Sequence, residues 1–320
     1  MDNAIQIDNL KVVFPGSSKV IRAVEGIDIH IKKGECVALV GESGCGKSVT
    51  SLSCMKLLPG TAVMRADRLC ISGIDVTDYT DKQMQQLRGS KISMIFQDAL
   101  SALNPVMTVG KQIDEIYMQH EHISRREAKR LSVKALEAVG IPDAAMRYSA
   151  FPHELSGGMR QRILIAMAFA CNPDVIIADE PTTALDVTIQ AQILSILKEM
   201  QKKRDTALLL ITHDLSVVRN MADRIVVMYS GKIVEEAVSD DIFVSPKHPY
   251  TKGLLSAVTR LDDKRGEFVQ IPGNLPAPSD KPSGCYFHPR CPYATDKCRS
   301  EMPKLKEIIK GRKVRCHYAE

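Results

Sequence analysis

Residues 41–48, Gly41-Glu42-Ser43-Gly44-Cys45-Gly46-Lys47-Ser48, fit the pattern G-x-x-x-x-G-K-[ST] at every fixed position. The chemistry this pattern serves is phosphate binding. Its glycines let successive backbone N–H groups turn toward one centre, and a helix starting near Lys47 adds its positive dipole end. Lys47 is placed to reach β- and γ-phosphates and the Ser48 hydroxyl to ligate Mg²⁺. Further along, Asp179-Glu180 closes the apolar run Val175-Ile176-Ile177-Ala178. In a phosphate-binding protein the first acid holds Mg²⁺ through its water shell, and the second polarises an attacking water. Gln97 ends another apolar run, and His213 follows a third, Ala207 to Thr212. Both fall where open α/β sheets bind ligands, at the carboxyl ends of strands. Ser156-Gly157-Gly158 opens a helix with Ser156 as N-cap, a second candidate anion site. Phe14, 27 residues before Gly41, is a candidate for stacking on an adenine ring.

The elements that must position these residues follow from periodicity. Cys36 to Val40 is a short apolar strand entering the loop, and Val49 to Leu58 reads as the helix leaving it, with Leu52, Met55 and Leu58 inward and Pro59-Gly60 as the stop. Ile5 to Val13 partly alternates, and Ile27, Ile29 and Ile31 alternate cleanly, which predicts an antiparallel β layer ahead of the loop. Lys91 to Gln97 is a strand ending in a polar amide. Between it and Leu155 the pattern turns helical, with Ser101 to Pro105 a loop and helices over Val109 to His120 and Ser124 to Val139. The fold class expected is therefore α/β, a nucleotide-binding core with an antiparallel β subdomain and a helical insertion over about 98–165.

Composition sets the class. The chain has 320 residues, 44% hydrophobic and 25% charged, as in a soluble globular protein long enough for one large domain and a smaller one. Apolar runs are strand-length, and Met1-Asp2-Asn3 lacks a basic n-region, so a cytoplasmic location is expected. Net charge is +5, yet from Lys281 onward ten Lys and Arg face four Asp and Glu. The excess sits in the tail, where a solvated surface is the ordinary reading and a nucleic-acid or lipid contact the rarer one.

Nine cysteines divide into two sets. Cys36, Cys45, Cys54, Cys70 and Cys171 lie among apolar or small residues and read as core fillers. Cys285, Cys291, Cys298 and Cys316 crowd the last 36 residues, in a segment rich in proline and aromatics and poor in periodic structure. A short segment of that kind needs a staple. Disulfides are disfavoured in the cytoplasm, so a four-thiolate metal site is expected, with His288 and His317 as possible substitute ligands. Structural zinc uses pairs two to four residues apart, which this spacing lacks; a [4Fe–4S] cube accepts separated cysteines, with zinc the runner-up and free thiols the remaining alternative.

Taken together, residues 3–260 resemble the ATP-binding subunit of ABC transporters. Gly41 to Ser48 resemble the Walker A loop, Gln97 the Q-loop, Leu155 to Gly158 the signature motif, Val175 to Glu180 Walker B, Ala184-Leu185-Asp186 the D-loop and His213 the switch histidine. The resemblance implies a domain over 1–260, an extension over 261–320, and two such subunits sandwiching two ATP molecules. ATP bound to this chain would then be served by Phe14, Gly41, Ser43, Gly44, Cys45, Gly46, Lys47, Ser48, Val49, Gln97, Asp179, Glu180 and His213, with Ser48, Gln97 and Asp179 toward Mg²⁺. Ser156 and Gly158 would serve the partner's ATP, with Asp186 near the junction.

A narrower resemblance rests on Ser101 to Pro105, Phe151 to Arg162, and His248-Pro249-Tyr250-Thr251-Lys252-Gly253-Leu254-Leu255. These are similar to the peptide/nickel importers of bacteria, whose tail favours iron–sulfur. It implies peptide import, with nickel or another small solute as the alternative. The implied partners are a second, similar but distinct ATPase, two transmembrane permease subunits and an extracytoplasmic solute-binding protein, with the chain peripheral on the cytoplasmic face and no nucleic acid involved. Other classes are a soluble non-transport ABC ATPase, which typically carries two such domains or coiled-coil insertions, and a redox or metal-sensing regulatory subunit.

Overall fold

Burial explains the first strands. In β1 (Asn3–Phe14) Ile5, Ile7, Leu10 and Val12 are buried, and in β2 (Ile21–Lys32) Val24, Ile27, Ile29 and Ile31. The alternation of β1 slips between Ile7 and Leu10 because Asn9 sits at φ 51°, which resets the phase and returns Leu10 inward. A computed structural model describes residues 3–16, 19–183, 185–259 and 271–319. They divide into two compact units, one of 3–5, 31–35 and 70–210, the other of 6–30, 36–69 and 211–319. The expected boundary at 260/261 and Ala184 lie outside the described residues.

β3 (Cys36–Val40) is buried along its whole length. The loop follows, then α1 (Lys47–Met55), which is shorter than its apolar spacing predicts. It closes where Lys56 turns left-handed and the Leu57 N–H reaches the Leu52 carbonyl at 2.9 Å. The face it buries is Thr50, Ser51, Ser53, Cys54 and Met55, while Leu52 and Leu58 are half-buried, so small residues let it pack closely. β4 (Val63–Arg65) lies antiparallel on β1 with Lys11 opposite Arg65. β5 (Arg68–Ile71) and β6 (Ile74–Asp75) form a hairpin whose Ser72-Gly73 turn has both φ values positive, at 51° and 78°.

After α2 (Asp81–Leu87) and β7 (Ile92–Ile95) comes the helical insertion. It comprises α3 (Ala99–Ala102), α4 (Val109–Glu121), α5 (Arg125–Ala138), α6 (Ala144–Arg147) and α7 (Gly157–Ala168). The stretch expected as a loop at Ser101 thus begins as a turn of helix, started by Asp98 accepting from the Leu100 N–H. Ser124 caps α5 as its position suggests. The insertion is tied internally by Asp114, 2% exposed, which accepts from the Ser132 hydroxyl at 2.6 Å and from the Tyr148 hydroxyl. β8 (Val175–Asp179) is buried and runs parallel to β7, Ile92 opposite Val175. α8 (Val187–Arg204) leads to β9 (Ala207–Thr212), the other neighbour of β8.

In the second unit α9 (Leu215–Met221) precedes β10 (Arg224–Tyr229), which runs parallel to β3 and antiparallel to β11 (Lys232–Val238). α10 (Ser239–Val244), α11 (Pro249–Thr259) and α12 (Asp296–Ser300) are followed by β12 (Lys306–Ile309) and β13 (Arg312–Val314). β13 pairs antiparallel with β11, so the tail is less irregular than its composition suggests: it extends a sheet of the core. Among the described residues no helix is long and apolar enough to cross a membrane.

Replacing Asp114 with Ala leaves the Ser132 and Tyr148 hydroxyls buried without their acceptor and should cost about 2–4 kcal/mol. Urea denaturation checks the loss, and faster amide exchange over 109–148 locates it.

Candidate functional site

The phosphate loop connects β3 to α1 in a conformation that needs its glycines. Gly46 sits at φ 114°, and a Cβ there would lie 2.7 Å from the Ala23 carbonyl oxygen and 2.7 Å from Met228 Cε. The loop therefore rests directly on β2 and β10. Lys47 is 5% exposed, and its ammonium curls back to donate to the carbonyls of Gly41 at 2.8 Å and Glu42 at 3.1 Å. Gly41, Cys45 and Gly46 are buried while Ser43, Gly44 and Ser48 are exposed, and Val49 is half-buried. Burial pushes the Cys45 thiol up to about 11, so it fills space and stays protonated. A buried cation among backbone donors at a helix start suits a phosphate group.

In the other unit, β8 carries Asp179 to its carboxyl end, where it is 6% exposed. Glu180 follows at φ 47°, a left-handed backbone that only a turn under constraint imposes on a glutamate. Its Oε2 accepts from the Gln97 amide at 3.1 Å and from the Thr183 hydroxyl at 2.9 Å. The expected pair Gln97 and Glu180 is thus brought together, and Thr183 is an addition that the strand pattern had not signalled. Within this unit, the Gln97 amide oxygen and the Asp179 carboxylate are hard oxygen donors of the type Mg²⁺ takes.

Other expected residues take these places. His213 is exposed just past β9, and Asp214 caps α9 by accepting from the Ser216 N–H at 2.9 Å. Ser156 caps α7 through the Met159 N–H at 3.3 Å and is exposed; a Cβ on Gly158 would meet Ile189 Cγ2 at 2.8 Å. Asp186 caps α8, accepting from the Ile189 N–H at 2.9 Å. Phe14 ends β1 half-buried. Cys36, Cys45, Cys54, Cys70 and Cys171 are all buried, as core fillers should be.

Cys285, Cys291, Cys298 and Cys316 line one cavity of about 320 Å³ together with His288 and His317. Burial, then the neighbouring thiols, push Cys285 up to about 11, and burial raises Cys291 as well. Cys298 Sγ accepts from the Thr295 hydroxyl at 3.5 Å, and Cys316 Sγ from the Tyr318 N–H at 3.4 Å. Among the described residues no three His, Cys, Asp or Glu side chains are arranged to hold a metal ion. No metal site is shown for the tail among the described residues, and protein groups themselves fasten it. Strand pairing does so, with the ion pairs Glu25–Lys281 at 2.6 Å, Glu42–Arg290 at 2.6 Å and Glu235–Arg312 at 2.8 Å. Those pairs, and the Tyr250 hydroxyl accepting from the Glu42 N–H at 2.9 Å, escaped the sequence reading. The string His248-Pro249-Tyr250 was a signal, read only as a subgroup marker.

Comparison with known proteins now decides the family. The family described as ABC transporter matches residues 24–183. An oligopeptide transport ATP-binding protein, AppD of Bacillus subtilis (strain 168), is 47% identical over 321 residues, covering 100% of this chain and 98% of its own length. The chain belongs to the ABC transporter family. A dipeptide transport ATP-binding protein, DppD of Escherichia coli (strain K12), is 46% identical, covering 98% of this ABC chain and 96% of its own. Residues 234–298 match the family described as oligopeptide/dipeptide transporter, C-terminal region. Among solved structures, the dimeric post-hydrolysis ATP-binding cassette MJ0796 bound to ADP and Pi has TM-score 0.65 and 26% identity over 73% of this chain and 98% of that one. The α/β nucleotide-binding fold and the ATP hydrolase class of this ABC protein rest on these matches together.

Because Gly46 has no room for a side chain, Gly46→Ala should weaken ATP binding by about ten-fold or more. Titration of the full chain with a fluorescent ATP analogue measures it, with far-ultraviolet circular dichroism confirming that the fold persists.

Proposed function

We propose that this chain is the ATPase subunit that powers import of peptides, dipeptides and oligopeptides, across a bacterial membrane. The observation that carries the reading is the match of residues 234–298 to the oligopeptide/dipeptide transporter C-terminal region, joined to nearly full-length relatives named for peptide transport. The chain works from the cytoplasmic face, with two permease subunits, a second and similar ATPase, and an extracytoplasmic binding protein. The domain runs over 1–260 and the extension over 261–320.

The chemistry is assigned to this chain's own groups. Lys47 and the backbone N–H groups of 43–48, with Gly41 at the loop's start, hold the β- and γ-phosphates of ATP, with Val49 completing the cradle and Phe14 beside the base. Ser48, Gln97 and Asp179 hold Mg²⁺, which offsets charge on the phosphates. Glu180 orients and deprotonates the attacking water, and the Gln97 and Thr183 hydrogen bonds keep its carboxylate aimed. His213 stabilises the γ-phosphate as charge builds there. Exposed Ser156 and half-buried Gly158 serve ATP held by the second subunit, and Asp186 sets the start of α8 near that junction. Closure of the two subunits is passed to the permease through the helical insertion.

For the tail, the four thiols that line one cavity are the place of a [4Fe–4S] cluster, with Zn²⁺ as the second choice. What supports this is their convergence from separated positions. Brown colour with iron and sulfide in anaerobically purified protein is the expected result. A colourless protein with stoichiometric zinc would replace the cluster by zinc.

The Glu180→Gln variant of the assembled transporter should bind ATP as before and lose hydrolysis by about 10²–10⁴-fold. Unchanged turnover in that variant would refute the assignment of Glu180.

A further inference from the structure

Glu42 is the second residue of the phosphate loop, and groups from outside the loop hold it. Its backbone N–H donates to the Tyr250 hydroxyl at 2.9 Å, while its carbonyl accepts from Lys47 at 3.1 Å. Its carboxylate takes the Arg290 guanidinium as a fork, one oxygen at 2.6 Å and the other at 2.9 Å. Tyr250 lies on α11, and Arg290 ends the short 3-10 turn His288–Arg290, immediately before Cys291.

Both partners are themselves fixed. Arg290 is 7% exposed, and its Nε donates to the Pro272 carbonyl at 2.9 Å. Its guanidinium stands 5.9 Å from the centre of the Tyr229 ring. Tyr250 is fully buried, edge-on to Tyr229 at 4.7 Å between ring centres. Two forked hydrogen bonds to a buried guanidinium leave the carboxylate one position. The loop therefore holds its shape before any phosphate arrives.

Charge gives this contact a task. A carboxylate within a loop whose N–H groups receive a triphosphate repels the ligand, and the repulsion is strong where water is scarce. Arg290 cancels that charge at its source. We propose that Arg290 is a positioning residue for ATP: it neutralises Glu42 and locks the phosphate loop, which makes the C-terminal extension a working part of nucleotide binding. The proposal rests on the reading of 41–48 as the ATP phosphate site.

The test uses the full chain in its assembled transporter and compares Arg290→Met with the double variant Glu42→Gln, Arg290→Met. With Met at 290, the Kd and KM for ATP should rise by about ten-fold while kcat stays within about two-fold, because the unpaired charge opposes binding and leaves the hydrolytic groups in place. Removing the Glu42 charge as well should return both constants to within about three-fold of wild type. A merely structural arginine predicts no such rescue. Unchanged Kd in the single variant, or a double variant as weak as the single, overturns the proposal. Should the Met variant lose its thermal unfolding transition, Arg290→Lys replaces it: charge is kept and the fork lost, so Kd should rise less than three-fold, and a rise of ten-fold overturns the charge argument. Lys47→Ala separates the two levels. If that variant binds ATP normally, the phosphate-site reading fails; if it abolishes binding while Arg290→Met binds normally, only the present inference fails.

Discussion

A phosphate loop has to be held in one turn by contacts from outside it, so that part of its backbone N–H groups is left for the ligand. That constraint organises the second unit. Lys47, nearly buried, is kept in place by the carbonyls of Gly41 and Glu42. Gly46 allows the turn to lie against Ala23 and Met228 with no side chain between. Main-chain bonds carry the support outward, the Gly231 N–H to the Cys45 carbonyl at 2.8 Å and the Glu25 N–H to the Gly231 carbonyl at 2.9 Å. A loop tied to the turn between β10 and β11 and to β2 has little freedom left to lose, which favours binding of a charged ligand by preorganisation.

A comparable economy governs the other unit. Glu180 stands at a backbone angle that costs on the order of 1–3 kcal/mol for a residue with a side chain. The buried β8 pays that cost by burying Val175 to Asp179 beside β7. The result is a carboxylate with one oxygen held by Gln97 and Thr183 at the end of a strand that cannot shift. Caps do related work: Ser156, Asp186 and Asp214 each fix the first turn of a helix next to a motif, so the motif residues sit on defined backbone.

Much of this was legible because it is local. The strand before Gly41, the buried run Val175 to Asp179, the cap at Ser156 and the helices of the insertion all announce themselves within a few residues. Where the reading slipped, packing had overruled spacing. Leu52 and Leu58 mark an apolar face, yet α1 packs on Ser51, Ser53 and Cys54, since small side chains let the helix approach closely. Asn9 breaks an alternation whose residues otherwise look like a simple strand. Tyr250 and Arg290 reach Glu42 across 208 and 248 residues, and no periodicity encodes a contact of that range.

The tail shows how composition can be right about the amount and silent about the use. Its surplus of positive charge suggested a solvated surface or, more rarely, a nucleic-acid or lipid contact. In the structure part of that surplus answers acids of the core: Lys281 meets Glu25, Arg290 meets Glu42, and Arg312 meets the fully buried Glu235, which also accepts from the N–H groups of Lys247 and His248 at 2.8 Å each. Buried pairs of this kind add little net stability over apolar packing, and breaking one is costly. The three pairs lie along a tail whose β13 runs antiparallel to β11 and whose four thiols line one cavity. In the structure the same extension thus carries both the ion pairs to the core acids and the four thiols that line one cavity.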